Sequence, residues 1–318
     1  MTSQEHHNEA QAPLLLLEHL NLNIPDVDLA REFYVSGLRC KENVKQDRTR
    51  LLHVNLGLSQ MHLPHKIGIK VEERKPVLEG QVVHGFIDFG TKESLESLAH
   101  RLENLDTLRG KIKVEPLAGQ DVLHVRGPFG NHFRIAQLSQ AECAQIEAEG
   151  SHPCGSDMML ALRRVVLFCP RQSSKAIADF YSKYLACQTR RSASSCEVLF
   201  SKNQVLEFVE SDEAPPANAY DLMESQRFHV ALYVSSEERL LNAYHRAAAD
   251  DLVYVNPRFQ GGPIEFASSS SEADVRKSLQ FRLRDVPSTN SEASKAFQLE
   301  HEVRSPKHKA NPLFASRL

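Results

Sequence analysis

The chain has 318 residues, a length that suits two domains of ordinary size, with 41% hydrophobic and 25% charged residues. Lys and Arg number 38 against 41 Asp and Glu, so the net charge of −3 excludes the basic footprint of a nucleic-acid binder, and 14 Gly with 15 Pro exclude collagen-like and mostly disordered classes. The apolar run Leu14–Leu17 is far short of the ~20 residues a membrane span needs, and the six cysteines form no CxxC pair, so reduced thiols, an intracellular setting and no membrane partner are expected.

In chain order, residues 1–13 read as a frayed tail, whose His6-His7 pair is expected to be solvated and without function. Alternating polarity then predicts a strand over Leu16–Ile24, an amphipathic helix over Asp28–Leu38, and three short strands near Lys41–Val44, Leu51–Leu56 and Ser59–Leu63. The series restarts with a strand at Val82–Gly90, a helix at Lys92–Leu105, and strands near Lys111–Glu115, Asp121–Arg126 and His132–Gln137. Residues 139–158, of mixed polarity, read as a linker. Beyond it come strand Leu162–Cys169, helix Ser174–Leu185 and a strand carrying Glu207, then strand Arg227–Val234, helix Glu237–Ala249 and a last strand carrying Glu300.

These units are copies. His19, His84, Arg164 and His229 occupy equivalent places, with 65 residues between the members of each half and 145 between the halves; His62 and Glu207 repeat the 145 offset. Arg134 and Glu300 correspond but lie 166 apart, and the surplus is placed in the loops Ala267–Asp274 and Pro287–Ser294. The expected fold is α+β: four βαβββ modules in two domains, 14–138 and 159–305, with a C-terminal tail at 306–318. Because side chains alternate across a strand, His19, Asn21 and Asn23 share one face and Leu20, Leu22 and Ile24 the other, so each sheet turns a polar face toward a cavity.

The stretches EHLNLNIPDVDLAREFYVSGL (Glu18–Leu38), GLSQMHLP (Gly57–Pro64), GPFGNHFRI (Gly127–Ile135) and FQLEHEVRS (Phe297–Ser305) resemble the vicinal-oxygen-chelate superfamily, which includes glyoxalases, extradiol dioxygenases and bleomycin-binding proteins. The resemblance implies curved sheets around a divalent metal (Fe, Zn, Ni, Mn or Co) that chelates a small oxygenated substrate, with ligands from the first and last strand of each module. Its candidate positions are His19 and His62, His84 and Arg134, Arg164 and Glu207, His229 and Glu300. Arg offers only donors, so a metal site must avoid Arg134 and Arg164.

Two module pairings are open. Pairing within each half mixes one Arg into each cavity, whereas pairing the first module with the fourth gathers His19, His62, His229 and Glu300 as a metal set. The second arrangement leaves His84, Arg134, Arg164 and Glu207 for ion pairing or anion binding. Glu300 or Glu207 is the expected general base. The implied activity is that of a metal-dependent lyase, isomerase or dioxygenase acting as a monomer or homodimer; the competing reading is a non-catalytic small-molecule binder of the bleomycin-resistance type. The final Ser316-Arg317-Leu318 resembles a peroxisomal address.

Overall fold

A computed structural model of the chain describes residues 11–45, 48–68, 71–116, 121–215, 228–259, 270–288 and 295–315. His6-His7, Ser316-Arg317-Leu318, and parts of both surplus loops (267–269 and 289–294) lie outside the described residues. Among the described residues no helix is long and apolar enough to cross a membrane.

The first module comprises β1 (Leu16–Asn21), α1 (Val27–Arg31) running into a π-helical turn (Glu32–Gly37), β2 (Lys41–Glu42), β3 (Leu51–Leu56) and β4 (Ser59–Pro64). A small ribbon of β5 (Lys66–Ile67) and β6 (Lys75–Pro76) follows. The second contains β7 (Gly85–Thr91), α2 (Leu95–Glu103), β8 (Lys113–Pro116), β9 (Val122–Arg126) and β10 (His132–Gln137). After α3 (Gln140–Glu149), the third contains β11 (Met159–Cys169), α4 (Ser174–Leu185), β12 (Thr189–Arg191), β13 (Ser195–Leu199) and β14 (Val205–Glu210). The fourth contains β15 (His229–Tyr233), α5 (Glu237–Ala249), α6 (Glu272–Ser278), β16 (Gln280–Pro287) and β17 (Lys295–Arg304), and α7 (Pro312–Ala315) ends the described chain.

The sheets do not follow the sequential halves 14–138 and 159–305. One seven-stranded sheet, β16-β17-β15-β1-β4-β3-β2, joins the first and fourth modules, and one eight-stranded sheet, β12-β13-β14-β11-β7-β10-β9-β8, joins the second and third. The seams are antiparallel, β1 on β15 and β7 on β11. Apolar faces of the helices close the outer side: α4 buries Ile177, Phe180, Tyr181 and Leu185, and α5 buries Leu240, Ala243 and Ala247, in one core that spans both sheets.

Two expectations change. The fourth module has three described strands rather than four, with α6 in the surplus and only a bridge, Val253 to Leu283, beside β16 where another strand would lie. The expected linker 139–158 holds a helix, α3, started by a capping box in which Ser139 and Glu142 satisfy each other's backbone donors. The Ser-x-x-Glu spacing was the signal for it.

The duplication is also visible in irregularities. An extra residue interrupts the β1–β15 register at Glu18 and the β11–β7 register at Arg163, 145 residues on. Ser59 and Gln204, also 145 apart, meet where the two sheets touch: Gln204 Nε2 donates to Ser59 Oγ, Leu17 O and Leu162 O, and its Oε1 accepts from Leu17 N. Buried main-chain groups left without partners are costly, so Gln204→Ala is expected to lower unfolding free energy by about 2–4 kcal/mol, read from urea denaturation. A loss below about 0.5 kcal/mol would contradict the role of this pin.

Candidate metal centre

Register brings the site together. Across the seven-stranded sheet, Gln60 of β4, His19 of β1, Ala231 of β15, Glu302 of β17 and Arg282 of β16 form one row. His53 of β3, His62 of β4, Asn21 of β1 and His229 of β15 form the next. Residues in such rows point to one face. Ala231, having no side chain beyond Cβ, lets His19 and Glu302 approach each other over it.

His19 Nε2 lies 3.0 Å from His229 Nε2 and 3.8 Å from Glu302 Oε2, and His229 Nε2 lies 3.6 Å from the same oxygen. The point equidistant from atoms so spaced is about 2.0 Å from each, the bond length that imidazole and carboxylate ligands make to zinc and similar ions. The three atoms therefore fit a divalent metal. His62 stacks on His19 with ring centroids 3.8 Å apart, and its Nε2 lies 2.9 Å from Gln60 Oε1. His62 thus flanks the trio and forms a second possible ligand group with Glu18 and His19.

Protonation suits this use. Glu18 Oε2 lies 2.6 Å from His19 Nδ1, and a carboxylate only accepts, so Nδ1 carries the proton and the Nε2 lone pair faces the centre. Burial pushes His229 down to about 3, despite Glu300 beside it, and pushes His62 well down, with His19 adding to the effect. Neutral imidazoles are the form that binds metal. Burial works to raise the Glu302 carboxyl, but Arg282, Arg304, His229 and His19 together hold it well below the usual carboxylate range.

Arg282 Nη2 and Arg304 Nη2 both donate to Glu302 Oε1, at 3.0 and 2.9 Å, leaving Oε2 toward the histidines. Among the described residues, the buried carboxylates Glu18, Glu300 and Glu302 stand beside the buried guanidiniums Arg282 and Arg304, which pair with them.

His19, His62 and His229 come together, but the carboxylate facing His19 and His229 is Glu302, two residues beyond Glu300 on the same face. Glu300 Oε1 instead accepts from Arg282 Nη1 at 2.5 Å and Asn256 Nδ2 at 2.9 Å. Sheet register explains the difference: Glu302 shares the row of His19, and Glu300 does not. Glu18, Arg282, Arg304 and His53 were not singled out; the bulge that turns Glu18 beside His19 has no signature in periodicity.

The other sheet is different. His124, Arg134, Asp88, Arg164 and Val205 form the corresponding row. Arg134 is bidentate to Asp88 at 2.7 and 2.7 Å, and Arg164 pairs with Glu207 and with Glu197. Both guanidiniums expected for anion binding are thus paired with carboxylates, and Glu207 lies on this sheet, remote in the topology from the metal centre. His84 was expected on strand β7 but lies one residue before it, exposed on the turn. Gly85 explains the turn: with φ +143, a Cβ there would sit 2.0 Å from Val166 O of the neighbouring strand.

No protein-family model matches the chain, and no curated protein matches it. Among solved structures, one described as a "putative dioxygenase" from Bacillus subtilis subsp. subtilis str. 168 aligns over 94% of this chain and 87% of its own, with TM-score 0.54 and 12% identity. Glyoxalase I from Zea mays aligns over 96% and 94%, with TM-score 0.46 and 12% identity. A lactoylglutathione lyase from Agrobacterium tumefaciens aligns over 39% and 95%, with TM-score 0.29 and 18% identity. The Bacillus structure shares the overall fold with this chain.

Proposed function

We propose that this chain, which has the vicinal-oxygen-chelate fold, is a divalent-metal-dependent enzyme that acts on a small oxygenated organic molecule. The observation that carries the reading is the convergence of His19 Nε2, His229 Nε2 and Glu302 Oε2 at bonding distances from a common point. Two histidines and one carboxylate, leaving further positions open, form the ligand set of non-haem iron oxygenases, which favours the dioxygenase branch over an isomerase. The fold shared with the Bacillus protein is compatible with that branch.

When bound, the metal supplies Lewis-acid polarisation of substrate oxygens and, if it is iron, oxygen chemistry. The protein's own part is orientation. Arg282 and Arg304 hold Glu302 by one oxygen and keep it ionised. Glu18 holds the His19 tautomer. His19, His229 and Glu302 are buried, and His62 beside them is partly exposed. The general base falls to Glu300, beside His229 and oriented by Arg282 and Asn256.

The test is anaerobic reconstitution of untagged protein with Fe(II), Zn(II) or Ni(II). Oxygen uptake is then followed with a panel of catechols, and isomerisation with a panel of 2-oxoaldehyde–thiol adducts. Fe(II)-dependent oxygen uptake is the expected result. Turnover of the adducts with Zn(II) or Ni(II) moves the protein to the isomerase branch, and no metal uptake with any of the three ions overturns the reading.

A further inference from the structure

The segment after α3, outside every repeated module, returns to the metal centre. Gly57 O accepts from His152 N at 3.1 Å, Asn55 Nδ2 donates to Pro153 O and Gly155 O at 2.9 and 2.8 Å, and Gly155 N donates to His152 O at 3.0 Å. The turn so formed is fastened to the β3–β4 hairpin. It carries the His152 side chain inward, leaving it 5% exposed with Nε2 3.2 Å from Glu18 Oε1. The imidazole stands off the straight line of a hydrogen bond, and its Nε2 has no aligned partner.

Glu18 is thereby flanked at both oxygens, bonded at one and approached at the other. Its Oε2 takes His19 Nδ1 at 2.6 Å and Arg304 Nη1 at 2.9 Å, and Oε1 faces His152. The terminal torsion of a carboxylate is broad and soft, so the two contacts at Oε2 leave its plane less well fixed than they do when Oε1 also faces a neighbour. Rotation would carry Oε2 away from His19 Nδ1 and release both the tautomer and the ring plane of His19.

We propose that His152 is a positioning residue: by fixing Glu18, it keeps His19 in the Nδ1–H form with Nε2 aimed at the metal. This inference rests on the reading of His19 as a ligand. It gives the connecting segment a role that the repeats do not supply.

The experiment compares wild type, His152→Ala and His152→Gln by Zn(II) titration against a competing chelator. The His19 tautomer is read in the metal-free proteins by long-range 15N–1H NMR, with the His19 signal assigned through His19→Gln. Losing a partner of this kind weakens metal binding by roughly 10–100-fold, so His152→Ala is expected in that range and His152→Gln, which retains a donor, within about threefold of wild type. The Ala variant is also expected to lose the single Nδ1–H signature of His19. Unchanged affinity and tautomer in His152→Ala overturn the proposal. So do equal losses in the Ala and Gln variants that track a fall in thermal midpoint, the pattern of a packing role. If wild type binds no Zn(II), the ligand reading fails, and the NMR comparison alone decides whether His152 positions His19.

Discussion

His229→Ala and Glu302→Gln are each expected to cut bound metal from about one ion per chain to below about a tenth, because a three-ligand site that loses one ligand keeps little of its affinity. Metal-dependent turnover should vanish with it. The measurement is metal content by mass spectrometry on protein expressed without a His tag, beside a thermal melt. Gln is chosen at Glu302 because complete truncation would leave two buried guanidiniums short of a carboxylate, a loss of about 3–5 kcal/mol that confounds binding with unfolding. Arg282 keeps Glu300 and Arg304 keeps Glu18 in either variant. Glu300→Gln is the contrast: it alters a carboxylate bound through Arg282 and Asn256, so it should retain most of the metal while lowering turnover. Metal lost in Glu300→Gln but kept in Glu302→Gln would reverse the assignment of the two carboxylates.

The second large effect is acid lability. Burial pushes His53 and His229 down to about 3 and His301 and His308 down to about 4, so these imidazoles stay neutral in the folded protein while the unfolded chain binds protons near pH 6.5. A group whose folded pKa is depressed contributes stability that is fully present above its unfolded pKa and is lost as pH falls toward its folded pKa. Each such histidine is therefore expected to remove up to about 3 kcal/mol between pH 6.5 and 4. Below the ordinary carboxylate range Glu18 and Glu302 add loss of the same sign, since both are held well below it. Urea midpoints of the chelator-treated protein should fall throughout pH 6.5 to 4. A midpoint flat from pH 7 to 5 would mean that these imidazoles are not buried neutral groups.

Much of this was legible in one dimension. Strand β3, helix α4 and helix α5 fall where periodicity placed them, at Leu51–Leu56, Ser174–Leu185 and Glu237–Ala249, because each must turn one apolar face inward and that demand is written in residue spacing. The 145-residue offset carried the duplication, with His19 and His229 on the first strands of their modules and His62 on the last strand of its own. Glu302 was visible as sharing a face with Glu300, yet parity along one strand cannot rank two residues on the same face.

By itself the sequence determined the α+β repeat, the inward polar faces and the three histidines, since these depend on alternation within a segment and on comparison of segments at a fixed offset. Tertiary structure alone decided that the first module pairs with the fourth. It also decided that the row through Ala231 selects Glu302, that Arg134 and Arg164 are consumed by Asp88, Glu197 and Glu207, and that His152 comes back to Glu18. The physical reason is common to all four. Each depends on strand register, a bulge or a long-range return of the chain, and these are fixed by hydrogen bonds and packing between segments far apart in sequence.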